Sequence, residues 1–429
     1  MRIAVIGTGY VGLVSGACFA EMGHQVICVD EDRDKVARLA QAKIPILEAG
    51  LEPLVSRHLN AGNLRFSTDT DEAVRSSEII FITVGTPSGD DGAADLSAVE
   101  EVARRIAVAI NAYKVVVNKS TMPVGSTRMV QRIIEENIDG LHQFDVVSNP
   151  EFLREGSAVE DFMNPDRVVV GSENQRPVGI LTELYRPLNA PLIVTDPASA
   201  EMIKYASNAF LATKVSFINA IANICEAVGA DVREVALGMG YDRRIGFEFL
   251  KAGPGFGGSC FPKDCRALID ISSHAGYTFG LLEGVMQVNE EQMSLMVEKA
   301  RKHLGALAGR RIGVLGLAFK ANTDDLRESP ALTVIAGLLE AGAQVTAFDP
   351  AYHANAVTPP AGAALAPDAY AAAEGAELLM ILTEWDEFKW LDFRRVKELM
   401  ASPVIVDTRN CLDPQVLRRM GFTYEGVGR

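Results

Sequence analysis

The segment FLKAGPGFGGSCFPKD, residues 249–264, combines a thiol, a cation and a carboxylate in one glycine-rich stretch. Closely spaced glycines let a backbone pass close to a ligand and then present a side chain, here Cys260. Lys263 and Asp264 follow at once, so a helix that begins near the cysteine would place its positive end and an ammonium group beside the sulfur. Such surroundings lower a thiol pKa, and the pattern predicts a nucleophilic cysteine.

The other five cysteines have different surroundings. Cys18, Cys28, Cys225 and Cys411 lie in apolar patterns, which predicts buried thiols, whereas the pattern around Cys265 leaves its role open. Six cysteines in 429 residues, without a CxxC pair, argue against a disulfide scaffold, and the six histidines lie in no ligand-like motif. We therefore expect no metal site, reduced thiols and a cytoplasmic location.

The N-terminal sequence RIAVIGTGYVG predicts a turn that binds a dinucleotide. Its three glycines suit a tight turn, a close approach of the backbone to a pyrophosphate, and packing of a helix on a strand. A second apolar run, QVICVD, ends in an acid that can accept hydrogen bonds from ribose hydroxyls and repels a 2′-phosphate, which favours NAD over NADP. A following lysine either supports the ribose or is solvated. The candidate cofactor-binding residues here are Gly7, Gly9, Tyr10, Val11, Gly12, Asp30 and Lys35.

Short β-branched runs that alternate with helix-length amphipathic segments define two α/β regions. Between them, residues 198–229 predict one long helix, which Pro197 starts and Gly229 ends. The predicted fold is α/β, with two Rossmann-like doubly wound parallel-sheet domains joined by a long central helix and a helical middle domain. The predicted strands are 2–6, 25–29, 78–84, 114–117 and 145–147 in the first region and 311–315, 344–348, 377–382 and 403–406 in the second.

We place the domain boundaries at 1–196, 197–303 and 304–429. The 198–229 helix has more apolar surface than its neighbours can cover, so we expect a homodimer with this helix at the interface; a central buried helix of a monomer is the alternative. The net charge of −15 argues against a nucleic-acid partner or an anionic membrane. No uninterrupted apolar stretch reaches the roughly 20 residues that cross a bilayer.

Five segments, in order along the chain, resemble the NAD-dependent nucleotide-sugar dehydrogenase family. They are GTGYVG, NPEFLREG, the helix that carries Lys204 and Asn208, GFGGSCFPKD and FKANTDDLRES, and the resemblance covers essentially the whole chain. It implies NAD binding by residues 1–196 and UDP-sugar binding by residues 304–429. The implied substrate is UDP-glucose, with GDP-mannose or UDP-N-acetylmannosamine as alternatives, and a non-catalytic nucleotide-binding module is the alternative from another class.

The resemblance implies a four-electron oxidation of a sugar C6 alcohol to a carboxylate, with two NAD molecules consumed. Cys260 would form a thiohemiacetal and then a thioester, which water hydrolyses. Lys204 and Asn208, four residues apart on one helix, would stabilise oxyanions, and Asp264 would handle protons. Glu151 would act as a base on water through Thr121. Which of the two acids serves which step stays open.

Further site residues follow from the same resemblance. Lys320 and Arg244 would supply the local positive charge that an acidic protein needs for a diphosphate ligand. The second α/β region keeps Gly316 but lacks the full glycine pattern, so its Asp349 is assigned a structural role. The implied cofactor-binding residues are Thr86, Thr121, Glu155, Lys263 and Arg327, and the implied substrate-binding residues are Glu151, Phe152, Leu153, Arg154, Glu155, Lys204, Asn208, Arg244, Phe249, Leu250, Lys251, Ala252, Gly253, Gly257 and Lys320.

Overall fold

The computed structural model of the chain describes residues 1–89, 92–138, 140, 142–352 and 362–429. These residues form two compact units. The first unit contains Met1–Ser207 and Arg266–Gly276, and the second contains Asn208–Cys265 and Tyr277–Arg429. The division into three domains stays a prediction.

Eight strands form the sheet of the first unit: β1 (Arg2–Ile6), β2 (Gln25–Val29), β3 (Leu64–Ser67), β4 (Ile79–Ile82), β5 (Lys114–Asn118), β6 (Phe144–Ser148), β7 (Val168–Gly171) and β8 (Leu192–Thr195). Their order is β3-β2-β1-β4-β5-β6-β7-β8, the doubly wound arrangement with its reversal beside β1. The prediction of a Rossmann-like parallel sheet is confirmed for the five predicted strands β1, β2, β4, β5 and β6. The structure adds β3, β7 and β8, and β7 pairs antiparallel with β6 through Ser148 and Gly171.

Helices cover both faces of this sheet. Alternate residues of β1 enter different apolar clusters, with Ile3 and Val5 on one face and Ala4 and Ile6 on the other, and all four are buried. A strand buried on both faces is typical of a parallel sheet between helical layers. The helices are α1 (Tyr10–Glu21), α2 (Arg33–Leu39), α3 (Leu51–Ala61), α4 (Thr70–Ser76), α5 (Ser97–Ala109), α6 (Ser126–Asn137), α7 (Ala158–Met163) and α8 (Gln175–Tyr185), the last followed by a 3-10 turn at Arg186–Leu188.

The long helix α9 (Pro197–Val228) begins in the first unit and ends in the second. Asp196 caps its start by accepting the Ser199 N–H at 2.9 Å, and Gly229 ends it with φ of +76°. The prediction of a helix over 198–229 is confirmed to within a residue. In the described part of the chain, α9 is the one helix whose length and apolar composition would allow it to cross a membrane, and 33% of its most apolar window is buried.

The sheet of the second unit consists of β9 (Arg311–Leu315), β10 (Gln344–Phe348), β11 (Ala364–Leu365), β12 (Leu378–Ile381), β13 (Val404–Asp407) and β14 (Thr423–Glu425). All pairings are parallel, and the order β11-β10-β9-β12-β13-β14 repeats that of the first six strands of the chain. The helices are α10 (Val232–Gly240), α11 (Phe261–His274), α12 (Gly280–Leu304), α13 (Pro330–Glu340), α14 (Ala369–Ala373), α15 (Asp386–Lys389), α16 (Phe393–Leu399) and α17 (Pro414–Arg419); the second half of α11 belongs to the first unit.

Candidate active site

The glycine turn between β1 and α1 has the geometry that a dinucleotide needs. Gly7 adopts φ of +100°, and a Cβ there would lie 2.8 Å from the Thr83 carbonyl oxygen; a Cβ on Gly12 would overlap the carbonyl of Gly7. A Cβ on Gly9, in contrast, would meet no atom within 4 Å. Packing therefore requires Gly7 and Gly12, while the open side of Gly9 lets a pyrophosphate approach the backbone and the start of α1.

Asp30, at the end of β2, is held as an oriented carboxylate. Its Oδ2 accepts hydrogen bonds from Thr8 N at 2.9 Å, Thr8 Oγ1 at 2.6 Å and Lys35 Nζ at 2.8 Å. Burial opposes ionisation, but these bonds and one from Asp32 N outweigh it and lower the pKa of Asp30 to about 2. The Oδ1 atom, which receives the Asp32 N–H at 3.2 Å, retains acceptor capacity for a hydroxyl donor. The structure thus places Lys35 on Asp30.

The strand ends beside the glycine turn carry the two predicted threonines. The Thr86 hydroxyl donates to the Thr121 carbonyl oxygen at 2.8 Å, which joins the loops that follow β4 and β5. Thr121 also lines a small cavity that Lys204 borders, together with Asn118, Ser148 and Glu201. The carboxyl ends of strands at the reversal of a doubly wound sheet are where ligands bind in such folds.

Glu151 and Lys204 form a buried ion pair in the first unit. Lys204 Nζ lies 2.9 Å from Glu151 Oε1, and their side chains are 4% and 5% exposed. Leu153 N donates to Glu151 Oε2 at 2.6 Å, and the Phe152 ring lies 5.5 Å from the ammonium. Burial raises the pKa of Glu151, but Lys204, the Leu153 N–H and Lys119 outweigh it, so the pKa stays below its usual value. The carboxylate is therefore ionised and fixed in place.

The remaining residues of NPEFLREG form a turn close to α1. Arg154 makes a bidentate contact with Asp161, whose carboxylate also accepts the Arg154 N–H at 2.8 Å. The Tyr10 hydroxyl accepts the Gly156 N–H at 2.7 Å, which connects the glycine turn with this segment. Glu155 is partly buried beside that contact.

Cys260 differs from the buried cysteines in its exposure. It is partly exposed and directly precedes α11, and its carbonyl oxygen accepts the Asp264 N–H at 2.8 Å, which makes it the first residue of the helical turn. Its sulfur lies 3.5 Å from the Ser259 hydroxyl. The four cysteines that are buried are Cys18, Cys28, Cys225 and Cys265, and Cys411 is only partly buried.

Burial has a clear effect on two of these thiols, since it raises the pKa of both Cys18 and Cys28 to about 12. Burial together with Asp407 also raises the pKa of Cys411. These three groups are thiols at neutral pH and therefore poor nucleophiles.

Asp264 lies on α11 between two donors of the second unit. Its Oδ2 accepts from Asn208 Nδ2 at 2.6 Å and its Oδ1 accepts from Lys263 Nζ at 2.7 Å, with the carboxylate fully buried. Asn208 is one helical turn after Lys204 on α9. The structure therefore brings three predicted residues together one turn after Cys260.

The glycine-rich loop before Cys260 is held by amide side chains and by the 319–329 segment. Gly253 N donates to Asn219 Oδ1 at 2.9 Å, and Phe256 N donates to Asn289 Oδ1 at 2.7 Å. A Cβ on Gly257 would overlap the Glu328 carbonyl, so only glycine fits there. Leu250 and Ala252 are buried, whereas Lys251 is exposed and Phe249 adopts φ of +64°.

The predicted cations of the second unit lie at its surface. The Arg244 side chain is 88% exposed and is bonded to Asp242, and that of Arg327 is 63% exposed and is bonded to Asp325 at 2.8 Å. The Lys320 ammonium lies 5.5 Å from the Phe319 ring. Arg244 and Arg327 can reach a diphosphate only by exchanging or sharing these carboxylate partners.

The second glycine turn, after β9, has the same backbone conformation as the first, but the acid beside it has different surroundings. Gly316 has φ of +100°, as Gly7 has. Its acid, Asp349, is 1% exposed, and its Oδ2 accepts from Leu317 N at 2.7 Å, Ala318 N at 3.0 Å and the Trp385 indole at 3.1 Å. Its Oδ1 accepts the Ala351 N–H at 2.9 Å, so the two acids have similar hydrogen bonds, and what distinguishes Asp349 from Asp30 is its burial.

Thr8, Thr83, Asn149 and Lys119 were not among the predicted site residues. Thr83 is distant from the glycine turn in sequence but contacts it, since its hydroxyl donates to the carbonyls of Ile6 and Gly7 at 2.9 and 2.8 Å. Lys119 is buried at the end of β5 and lies 3.3 Å from Asn149 Oδ1. One feature of the sequence could have indicated Lys119. Lysine is mostly exposed in proteins, so a lysine that directly follows an apolar strand is unusual.

The strand order, the glycine turn and Asp30 define a dinucleotide-binding protein, and a partly exposed thiol directly precedes α11. Three family models match the chain: the NAD-binding domain of the UDP-glucose/GDP-mannose dehydrogenase family at residues 1–189, its central domain at 198–291 and its UDP-binding domain at 313–414. The chain belongs to the UDP-glucose/GDP-mannose dehydrogenase family. It is an NAD-dependent enzyme of nucleotide-sugar oxidation.

Named relatives match over the full chain. The UDP-glucose 6-dehydrogenase TuaD of Bacillus subtilis is 51% identical over 100% of this chain and 93% of its own, and the UDP-glucose 6-dehydrogenase of Rhizobium meliloti is 48% identical over 100% of both. Among solved structures, a UDP-glucose dehydrogenase from Pyrobaculum islandicum has a TM-score of 0.91 at 40% identity, covering 99% of this chain and 97% of its own.

Proposed function

We propose that the chain oxidises UDP-glucose to UDP-glucuronate and consumes two NAD molecules for each sugar. The observation that carries this proposal is full-length identity of up to 51% to UDP-glucose 6-dehydrogenases, together with a partly exposed Cys260 at the start of α11. A thiol serves a four-electron oxidation because a covalent adduct keeps the carbon in place between two hydride transfers.

The proposed chemistry divides among the chain's own residues. Oxidation of the C6 alcohol gives an aldehyde, and the sulfur of Cys260 adds to it to give a thiohemiacetal. Oxidation of this adduct gives a thioester, and water then releases the carboxylate. Bound NAD would supply the hydride acceptor for each of the two oxidations. Lys204 and Asn208 stabilise the anionic oxygen of the adducts, and Asp264, held by Asn208 and Lys263, accepts or returns protons. Glu151, fixed by Lys204, orients the hydrolytic water.

The residues that we propose for binding are those of the two glycine-rich segments and the surface cations. Asp30 holds the adenosine ribose of NAD, with Thr86 and Thr121 near the strand ends. The loop before Cys260 gives backbone contact to the sugar nucleotide, and Arg244 and Lys320 neutralise its phosphates, while Arg327 contacts the cofactor.

A sister substrate is the second candidate. A UDP-D-ManNAc dehydrogenase from Pyrococcus horikoshii has a TM-score of 0.89 to this chain, but at 27% identity, below the 40% of the Pyrobaculum enzyme. The test is to count NADH formed per sugar consumed with UDP-glucose, GDP-mannose and UDP-N-acetylmannosamine in parallel. Two NADH per UDP-glucose supports the proposal, turnover with another sugar alone replaces the substrate, and silence with all three refutes a dehydrogenase role.

Removing the carboxylate of Asp30 should weaken NAD binding and relax discrimination against NADP. Two hydroxyl bonds to a charged acceptor are lost in Asp30→Ala, so we expect the Kd for NAD to rise by about tenfold to a hundredfold, with a smaller change for NADP. Calorimetric titration of both cofactors measures this. Asp34→Ala, an exposed acid in the first turn of α2, is the control and should change neither Kd. Equal loss for both cofactors would argue that Asp30 only holds the loop.

We propose further that the protein is a homodimer in which α9 of one copy packs against α9 of the other. Phe210, Phe217 and Ile224 are 65%, 50% and 55% exposed and recur every seven residues, which places them on one stripe of the helix. The same helix also carries charged residues: Lys214 donates to the Ile245 carbonyl, and Glu226 bonds to Lys299. A second copy therefore fits this surface better than a lipid phase.

Placing charge on this stripe should separate the copies. In Phe210→Glu/Phe217→Glu we expect a molar mass of about 46.2 kDa by light scattering, against twice that for the unchanged protein. Trp390→Glu, an 85% exposed aromatic outside the stripe, is the control and should keep the larger mass. A single-copy mass for the unchanged protein, or a dimer that survives both charges, would refute this interface.

We also propose a cytoplasmic location, as expected for a protein with free thiols.

A further inference from the structure

Lys119 is a buried lysine for which the proposed reaction has no role. It follows β5, is 4% exposed, and its Nζ lies 3.3 Å from Asn149 Oδ1. The ring centres of Phe162 and Tyr185 lie 5.7 and 5.9 Å from it. Burying an ammonium is unfavourable unless a negative charge or strong acceptors compensate it, so a compensating group must act on Lys119.

The titratable groups around Lys119 come from α1, α8, α9 and the segment after β6. Cys18 on α1 and Tyr185 on α8 are neutral at neutral pH, because burial raises the pKa of each well above its usual value. Glu151, after β6, attracts the ammonium, and Lys204 on α9 repels it. Glu151 is therefore the one negative charge in this set of two ammonium groups and one carboxylate.

Asn149 fixes Lys119 relative to that carboxylate. Its N–H donates to the Asn118 carbonyl at 2.8 Å, its Nδ2 donates to the Val169 carbonyl at 2.7 Å, and its Oδ1 also accepts the Tyr185 hydroxyl at 2.5 Å. Asn149 is thus tied to β5, β7 and α8, and it precedes Glu151 by two residues. Lys119, which follows β5, is therefore held through Asn149 to β5, β7 and α8.

We propose that Lys119 is a positioning residue that acts through Glu151, keeping this carboxylate ionised and sharing it with Lys204. The ionised carboxylate is the form of Glu151 that the proposed function needs to orient the hydrolytic water. The kinetic test of this inference rests on the proposed function, whereas the ionisation of Glu151 can be measured without turnover.

The kinetic test compares Lys119→Met and Lys119→Arg with the unchanged protein. The pH dependence of kcat/KM for UDP-glucose reports ionisations of the free enzyme. With the Lys119 charge removed, the pKa of Glu151 rises, and we expect the acidic limb of the profile to move up by about one pH unit in Lys119→Met and to stay in place in Lys119→Arg. The melting temperature and the Kd for NAD show that each variant is folded.

A matched control comes from the other end of the same strand. Lys114 is also buried, but its ammonium donates to the backbone carbonyls of Ser77 and Arg75, at 2.5 and 3.2 Å. Lys114→Met removes an equivalent buried charge, and its acidic limb should coincide with that of the unchanged protein. A shift of equal size in Lys114→Met would overturn the proposal, because any buried lysine would then have the effect.

A second measurement does not depend on turnover. The δ-carbon resonance of Glu151 in protein labelled with ¹³C-glutamate, assigned by its loss in Glu151→Gln, should titrate at higher pH in Lys119→Met than in the unchanged protein. An unchanged titration of Glu151 would overturn the proposal and reduce Lys119 to packing. If the unchanged protein does not oxidise UDP-glucose, the proposed function fails, while this titration still decides the role of Lys119.

Discussion

Cys260→Ser is expected to abolish the oxidation of UDP-glucose, with kcat lower by at least about 10³-fold. A serine hydroxyl has nearly the shape of the thiol but is a far weaker nucleophile without a base beside it, so the adduct that retains the aldehyde does not form. Steady-state NADH formation at saturating NAD and UDP-glucose measures the loss. The Kd for NAD should not change, because the glycine turn and Asp30 are intact in this variant and serine nearly matches cysteine in shape.

Cys411→Ser is the matched control. Cys411 is also partly buried, and its thiol donates to Asp407 at 3.6 Å, a contact that serine can reproduce. This variant should keep its activity. Full turnover in Cys260→Ser, or equal losses in the two variants, would contradict covalent catalysis by Cys260 and favour oxidation through a free aldehyde.

Lys204→Met is expected to affect both activity and stability. The methionine leaves the Glu151 carboxylate buried without its direct partner, which costs about 3–5 kcal/mol in the free energy of unfolding at neutral pH. The proposed oxyanion contact is also lost, so kcat should fall by about 10²–10³-fold. Denaturant unfolding and steady-state kinetics measure the two effects separately.

The pH dependence of this stability loss has a definite sign. The folded-state pKa of Glu151 lies below its ordinary value of 4.5, so the ion pair stabilises the native protein above pH 4.5. That contribution disappears as the pH falls through the folded-state pKa. The difference in unfolding free energy between the unchanged protein and Lys204→Met should therefore shrink as the pH is lowered below 4.5.

The double variant Glu151→Gln/Lys204→Met separates the charge effect from catalysis. It removes both partners, so it should regain part of the stability that Lys204→Met loses, without regaining activity. A double variant that is no more stable than Lys204→Met would show that the pair contributes by packing and not by charge compensation.

The sequence predicted those parts of the fold that depend on local pattern. The glycine turn, the strand ending at Asp30 and the boundaries of α9 follow from spacing and composition, and the structure confirms them. The antiparallel β7 does not follow, because four residues of VVVG read equally well in either direction and only the chain path after Ser148 decides between them.

The sequence supplied the candidate site residues but not the contacts between them. Local spacing placed Lys263 and Asp264 beside Cys260, whereas the family resemblance was needed to select Glu151 and Lys204. The network of Lys119, Asn149 and Tyr185 joins residues far apart in sequence, and no periodicity signals such contacts. Long-range electrostatics is the part of a site that a single sequence conveys least.

The burial of Asp349 has a kinetic consequence for the proposed reaction. Of the two glycine turns, the one beside Asp30 has a partly exposed acid that can receive an adenosine ribose, whereas the acid beside the other, Asp349, is buried. A half-oxidised sugar must therefore wait while one spent coenzyme leaves and a fresh one enters. Its residence time on the protein has to exceed the exchange time of the coenzyme, so dinucleotide release sets the lifetime that the sulfur adduct must survive.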